Sequence, residues 1–317
     1  MTDKTKLKTI AILMSLLMSV NLFAQLAATD TAFVEGSVLS KDGTKIGYRK
    51  YGRNNPALIL VQGAMGVIVN YHELAKALSH DFIVYVPERR GRILSPKEYT
   101  PDHSIENDVE DLSCVINASG ASYVFGLSSG AIITLEATKI LESIKKAAIY
   151  EPPFYVKRPV PENKIDRVFS YISEGNTSAA LANVFKIVKV GPKIFKYVPL
   201  PILKQMTKAF IKSEDKQQNG RYPKISYLIS TMRFDFTAVL QRGGKVQSYR
   251  GIDKPVLLLG GAKSPKYLHD ALDTLEKVLP NQKRIEFKKL DHSAPWNADR
   301  GGDPETVAKA LIDFFKN

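Results

Sequence analysis

Apolar and polar positions along the 317-residue chain fall into short blocks whose period changes repeatedly. Residues 34–39 and 46–51 read as two strands, and the Lys41-Asp42-Gly43 turn between them makes a hairpin. Residues 57–61 form a short apolar run ending in Gln62-Gly63, the pattern of a strand buried on both faces. Helical spacing follows over 71–78, a second buried strand over 82–86, and a loop over 87–95. Residues 105–116 return to helical spacing, 123–126 predict a strand, 131–143 a helix, and 146–150 a strand that stops at Glu151-Pro152-Pro153. Strands alternating with helices predict an α/β fold: a mostly parallel sheet with helices on both faces.

The alternation breaks at Pro153. Helical and loop-like sequence rich in Lys, Tyr and Pro continues until Pro255, after which a strand (256–259), a helix (268–279), a strand (284–290) and a last helix (304–315) resume the pattern. One α/β core explains this, its first part at 33–154 and its second at 251–317, with a helical lid inserted at 155–250 over the carboxyl end of the sheet. No internal repeat or low-complexity tract is present.

Charge sharpens that division. The formal charge is +13, and residues 155–250 hold 18 Lys or Arg against 6 Asp or Glu, an excess of +12. An evenly basic chain would suggest nucleic acid. A basic insertion instead points to an anionic surface or substrate. Ahead of the core, Lys4, Lys6 and Lys8 precede an apolar stretch at 10–20, and Ala24 is a suitable cleavage position. This predicts a signal peptide over 1–24 and export to the periplasm or beyond, with an uncleaved N-terminal anchor as the alternative. The single cysteine, Cys114, excludes an internal disulfide and is expected in the core.

The chemistry centres on Gly126-Leu127-Ser128-Ser129-Gly130, a G-x-S-x-G pentapeptide between a predicted strand and a predicted helix. In this setting the central serine sits on a sharp turn, at a helix N-terminus, with its hydroxyl exposed as a nucleophile. Ser128 is therefore the candidate nucleophile. Ser129 occupies the wrong place in the motif for that task.

These segments, in this order, resemble the α/β-hydrolase superfamily. Asp42 to Tyr48 is similar to that family's first hairpin, Val61-Gln62-Gly63-Ala64 to its oxyanion segment, and Pro87-Glu88-Arg89-Arg90-Gly91-Arg92 through Ser95 to its Asp-x-Arg-Gly-x-Gly-x-Ser stretch. Gln62 stands where histidine is more usual. The likeness covers the core on both sides of the insertion but not the insertion itself. It implies an oxyanion hole from the backbone N–H groups of Ala64 and Ser129, and a general base at His292, after the last strand. The usual place for the acid, after the penultimate strand, reads Gly260-Gly261-Ala262-Lys263 and holds none. Glu151, one strand earlier, is the expected acid because some relatives carry it there. Asp270 is second and Asp291 third, and Glu151 could instead cap a turn or pair with Arg89 or Arg90. His72 is close enough to the oxyanion segment in sequence to be a pocket residue.

The expected activity is hydrolysis of a hydrophobic ester through an acyl-serine intermediate, with neither cofactor nor metal and no nucleic-acid partner. Hydrolysis of an amide, a thioester or a carbon–carbon bond, a lyase, and a non-catalytic ligand-binding or membrane-associated protein on the same fold are the alternatives. Residues 185–212 hold seven lysines and no acid, interleaved with apolar residues and divided by Pro192, Pro199 and Pro201. That pattern suits a lid over an apolar pocket or a surface that meets an anionic membrane.

Overall fold

The computed structural model describes residues 32–53, 56–189, 195, 197–217 and 221–317. The expected signal segment 1–24 and two of the seven lysines, Lys193 and Lys196, lie outside the described residues.

Eight strands form one sheet: β1 (Val34–Leu39), β2 (Lys45–Tyr51), β3 (Ala57–Val61), β4 (Ile83–Pro87), β5 (Tyr123–Leu127), β6 (Lys146–Tyr150), β7 (Val256–Gly261) and β8 (Gln282–Phe287). Their spatial order is β1-β2-β4-β3-β5-β6-β7-β8. β2 runs antiparallel to β4, and every pairing from β4 through β8 is parallel. The apolar runs explain the interior of this order. All five residues of β3 and all six of β7 are buried, which suits strands covered by helices on both faces. β8, at an edge, carries no fully buried residue.

Five helices belong to the core: α1 (His72–Leu78), α2 (Ile105–Ser119), α3 (Ser129–Ile140), α8 (Lys266–Val278) and α9 (Pro304–Lys316). α1 packs on α9, and α2 on α3. Between β6 and β7 come α4 (Glu162–Ser173), α5 (Thr177–Val188), α6 (Leu200–Gln217) and α7 (Ile225–Arg242). α7 is the deepest of these and rests on α3.

Several boundaries differ from the sequence expectation for local reasons. α3 starts at Ser129 rather than 131, because the Ser128 carbonyl already accepts the N–H groups of Ala131 (2.9 Å) and Ile132 (3.2 Å). α1 is preceded by a 3-10 turn, Ile68–Tyr71, whose first amides are tied down when Asn70 Oδ1 accepts the Val67 N–H at 2.8 Å. β8 stops at Phe287, where the chain turns and the Leu290 carbonyl accepts the Lys263 N–H at 3.0 Å. Cys114 is only half-buried, not a core residue: it lies on the outer part of α2, beside the strongly buried Val115.

Candidate active site

The loops that follow β3, β5, β6, β7 and β8 converge at the carboxyl edge of the sheet, where open α/β sheets place their ligands. Ser128 caps the β5–α3 turn with φ 56° and ψ −122°, a conformation that side chains other than glycine avoid. The neighbours make the turn possible. A Cβ at position 126 would stand 2.4 Å from the Gly130 carbonyl oxygen, and one at 130 would stand 2.5 Å from the Gln62 carbonyl oxygen. Both contacts are forbidden, so glycine is required on each side of the serine. The Ser128 N–H donates to the Tyr150 carbonyl at 2.9 Å, which fixes the turn to β6.

Met65 (φ 58°) and Glu151 (φ 47°) also adopt positive φ, so three of the four such non-glycine residues in the described chain surround this edge. Each conformation costs about 1–3 kcal/mol and survives only where surrounding contacts enforce it. At Glu151 those contacts are visible. Its N–H donates to the Leu259 carbonyl at 3.1 Å, its Oε1 accepts the Gly261 N–H at 2.7 Å, and its Oε2 lies 2.7 Å from His292 Nδ1. The carboxylate is fully buried. The Gly260-Gly261 pair, empty of acid, serves this arrangement. A Cβ at 261 would meet the Leu290 carbonyl oxygen at 2.4 Å, on the loop that carries His292. That loop is held from below by the Tyr150 hydroxyl, which donates to the Asp291 carbonyl at 2.7 Å.

The other carboxylates considered for this position point elsewhere. Asp270 Oδ1 accepts from Lys157 (2.6 Å) and Lys266 (3.0 Å), and these two hydrogen bonds hold its pKa below the ordinary range. Asp291 Oδ1 accepts from the N–H and hydroxyl of Ser293. Arg89 and Arg90 pair with aspartates, not with Glu151. His72 bonds to the Tyr51 hydroxyl at 3.3 Å and does not line the cavity described below.

Ser128 and His292 both line one cavity of about 320 Å³, together with Ala64 and Ser129. Among the described residues neither the Ala64 N–H nor the Ser129 N–H has a protein acceptor. No hydrogen bond joins Ser128 Oγ to His292 among the described residues, and such contacts tighten in many sites only when substrate arrives. Gln62, fully buried, donates from Nε2 to the Pro87 carbonyl at 2.7 Å, so its amide faces away from the oxyanion position. The far wall is apolar and comes mainly from the insertion: Leu181, Val184 and Val188 of α5, and Leu228, Met232 and Phe236 of α7.

Behind the oxyanion segment lies a buried charge network that sequence reasoning missed. Asp235, on α7, is buried and accepts the Ser129 hydroxyl at 2.8 Å. Arg92 Nη2 reaches both of its oxygens at 3.1 Å and the Gly63 carbonyl at 3.1 Å. Arg89 donates to the same Asp235 and, through its other nitrogen, to Asp108 at 3.1 Å. Burial drags the Arg89 pKa down, but Asp235 and Asp108 more than offset it. Arg92, equally buried and repelled by Arg89, ends below its ordinary value. The only sequence signal was the Arg-rich stretch at 88–92; its acidic partner is more than 140 residues away. Among the described residues no group of three or more His, Cys, Asp or Glu is arranged to hold a metal.

No protein-family profile matches the chain. Over 126 residues it is 29% identical to the N-formylmaleamate deformylase of Pseudomonas putida, a stretch covering 39% of this chain. The match spans about half the length (47%) of that curated relative. Among solved structures, an α/β hydrolase from Sphaerobacter thermophilus superimposes with a TM-score of 0.71 at 28% identity, covering 88% of this chain and 100% of that one. The enol-lactonase of Burkholderia xenovorans superimposes with a TM-score of 0.65 over 89% of this chain and 100% of that one, at 17% identity, which speaks for the fold alone.

Proposed function

We propose, from the premise that this chain belongs to the α/β-hydrolase fold superfamily, that it is a serine hydrolase cleaving esters with an apolar acyl group. The observation that carries the reading is the 2.7 Å contact between His292 Nδ1 and the buried Glu151, on the rim of a cavity that also holds the elbow serine.

In this mechanism His292 Nε2 takes the proton as Ser128 Oγ attacks the ester carbonyl carbon. Glu151 holds the Nδ1–H tautomer and stabilises the imidazolium that forms. The carbonyl oxygen becomes an oxyanion and is met by the Ala64 and Ser129 N–H groups. Collapse breaks the bond to the alcohol oxygen, which leaves with the proton from His292. Water, deprotonated by the same imidazole, then attacks the acyl-serine and releases the acid. An ester suits the Leu, Val, Met and Phe wall because it brings no N–H donor that would lack a partner there.

A panel of p-nitrophenyl esters of rising chain length tests the substrate class. Turnover per KM should rise from acetate to medium-chain acyl groups and fall when Met232→Trp fills the cavity. Folded protein that cleaves none of the panel would leave the site to a binding role or to another reaction. Export is proposed separately from residues 1–24; the N-terminus of the protein recovered from the exported fraction tests it.

A further inference from the structure

α6 presents three faces. Leu203, Thr207 and Ile211 point inward, with the Thr207 hydroxyl donating to the Ser178 carbonyl at 2.8 Å. Ile202, Met206 and Phe210, each four residues after the last, form a stripe along one flank, and they are 55%, 42% and 43% exposed. On the other flank Lys208 and Lys212 are exposed, in line with the half-buried Lys204, whose ammonium lies over the Tyr171 ring. Isolated exposed apolar residues need no explanation. An ordered row of them on a single helix does.

Two observations identify what covers this row. The first is continuity: Phe210 belongs both to the exposed stripe and to the wall of the Ser128 cavity, so apolar surface leads from solvent to the reacting hydroxyl. The second is charge. Lys208 and Lys212 form no ion pair among the described residues. The two acids further along α6 are already engaged, Glu214 with Arg300 and Asp215 with the Ile225 N–H. A second copy of the chain would bring its own +12 against this surface and be repelled. Nucleic acid would use the lysines but leave Ile202 and Met206 in water. A phospholipid bilayer with anionic headgroups satisfies both stripes at once: apolar side chains enter the acyl boundary and lysines snorkel to the phosphates. No described helix is long and apolar enough to cross a membrane.

We infer that α6 docks the protein on anionic phospholipid surfaces and that a lipid-borne ester enters the cavity past Phe210. The second half rests on the serine-esterase reading; the first does not.

The test is co-sedimentation of the full protein with phosphatidylcholine vesicles, with and without phosphatidylglycerol. Hydrolysis of a water-soluble short-chain ester is measured in parallel. Phosphatidylglycerol should raise binding at least tenfold at low salt, and physiological salt should weaken it. The exposed double variants Ile202→Gln/Met206→Gln and Lys208→Gln/Lys212→Gln should each lose at least tenfold in vesicle binding while cleaving the soluble ester at the wild-type rate. Binding that ignores phosphatidylglycerol overturns the inference. So does loss in the lysine variant with full retention in the apolar one, which reduces the effect to attraction of a basic protein. Vesicle binding with the expected variant losses, but no cleavage of any ester, upholds docking and removes the esterase reading.

Discussion

Ser129, the residue after the elbow serine, donates its hydroxyl to Asp235 at 2.8 Å, and so joins the oxyanion side of the site to a helix inserted more than 100 residues later. Asp235 also accepts from Arg92, which holds the Gly63 carbonyl, and from Arg89. One carboxylate thus ties α7 to both loops whose N–H groups face the cavity. Other bonds support the same docking. Gln241 accepts the Ile105 N–H at 2.9 Å, and Arg242 donates to Glu136 at 3.0 Å. α7 is a fixed roof in this arrangement, in contrast to the exposed α6.

Asp235→Asn keeps the shape of that group and removes its charge, leaving Arg92 without the carboxylate it pairs with among the described residues. Breaking a buried pair in this way costs about 3–5 kcal/mol. Urea unfolding should show a loss of that order, and turnover of the soluble ester should fall even where the variant remains folded. A midpoint equal to wild type would mean the network is not a stabilising element.

The acid at Glu151 permits a sharper comparison. Glu151→Gln can still accept the Gly261 N–H but favours the wrong imidazole tautomer and leaves the imidazolium unbalanced, so kcat should fall about 10³–10⁴-fold. Asp270→Asn, which only releases Lys157 and Lys266 at the surface, should leave kcat within about twofold. Comparable losses in both variants would remove Glu151 from its proposed role.

Much of this was legible beforehand. The apolar run at 57–61 coincides with β3, because a strand covered on both faces has no polar positions to blur its ends, and 146–150, apolar after Lys146, coincides with β6. The elbow pentapeptide is equally readable from its spacing, although Gly130 answers a contact with the Gln62 carbonyl on another strand's loop. Long-range placements were not readable. Whether Glu151 or Asp270 approaches His292 depends on how β6 lies against β7 and on a glycine pair whose purpose is to leave room. Asp235 carries no local signal in the sequence, because charge counts do not reveal which distant arginines a helix will bury. β8 ends three residues before the expected 290 because Lys288 to Leu290 continue a strand-like sequence while their backbone turns toward Lys263.

Glu88 gives the fold a dependence on pH. Burial pushes its pKa from the ordinary 4.5 up to about 7, against the attraction of Arg92, while its Oε1 accepts the Ile68 N–H at 3.0 Å. Between those two values the folded chain holds a proton that the unfolded chain has released. Stability from this group therefore falls as pH rises from 4.5 to about 7 and stays reduced above it. Glu88→Gln should match wild type below pH 4 and exceed it by about 3 kcal/mol above pH 7. Unfolding curves at several pH values check this, and a constant offset between the two proteins would contradict it.

Covalent labelling with a fluorophosphonate decides whether Ser128 is the nucleophile. Intact-mass and peptide mapping should show one adduct per chain, on Ser128, absent in Ser128→Ala and greatly slowed in His292→Ala. An adduct on Ser129 instead, or ester cleavage by a folded protein whose Ser128 never labels, would contradict the account.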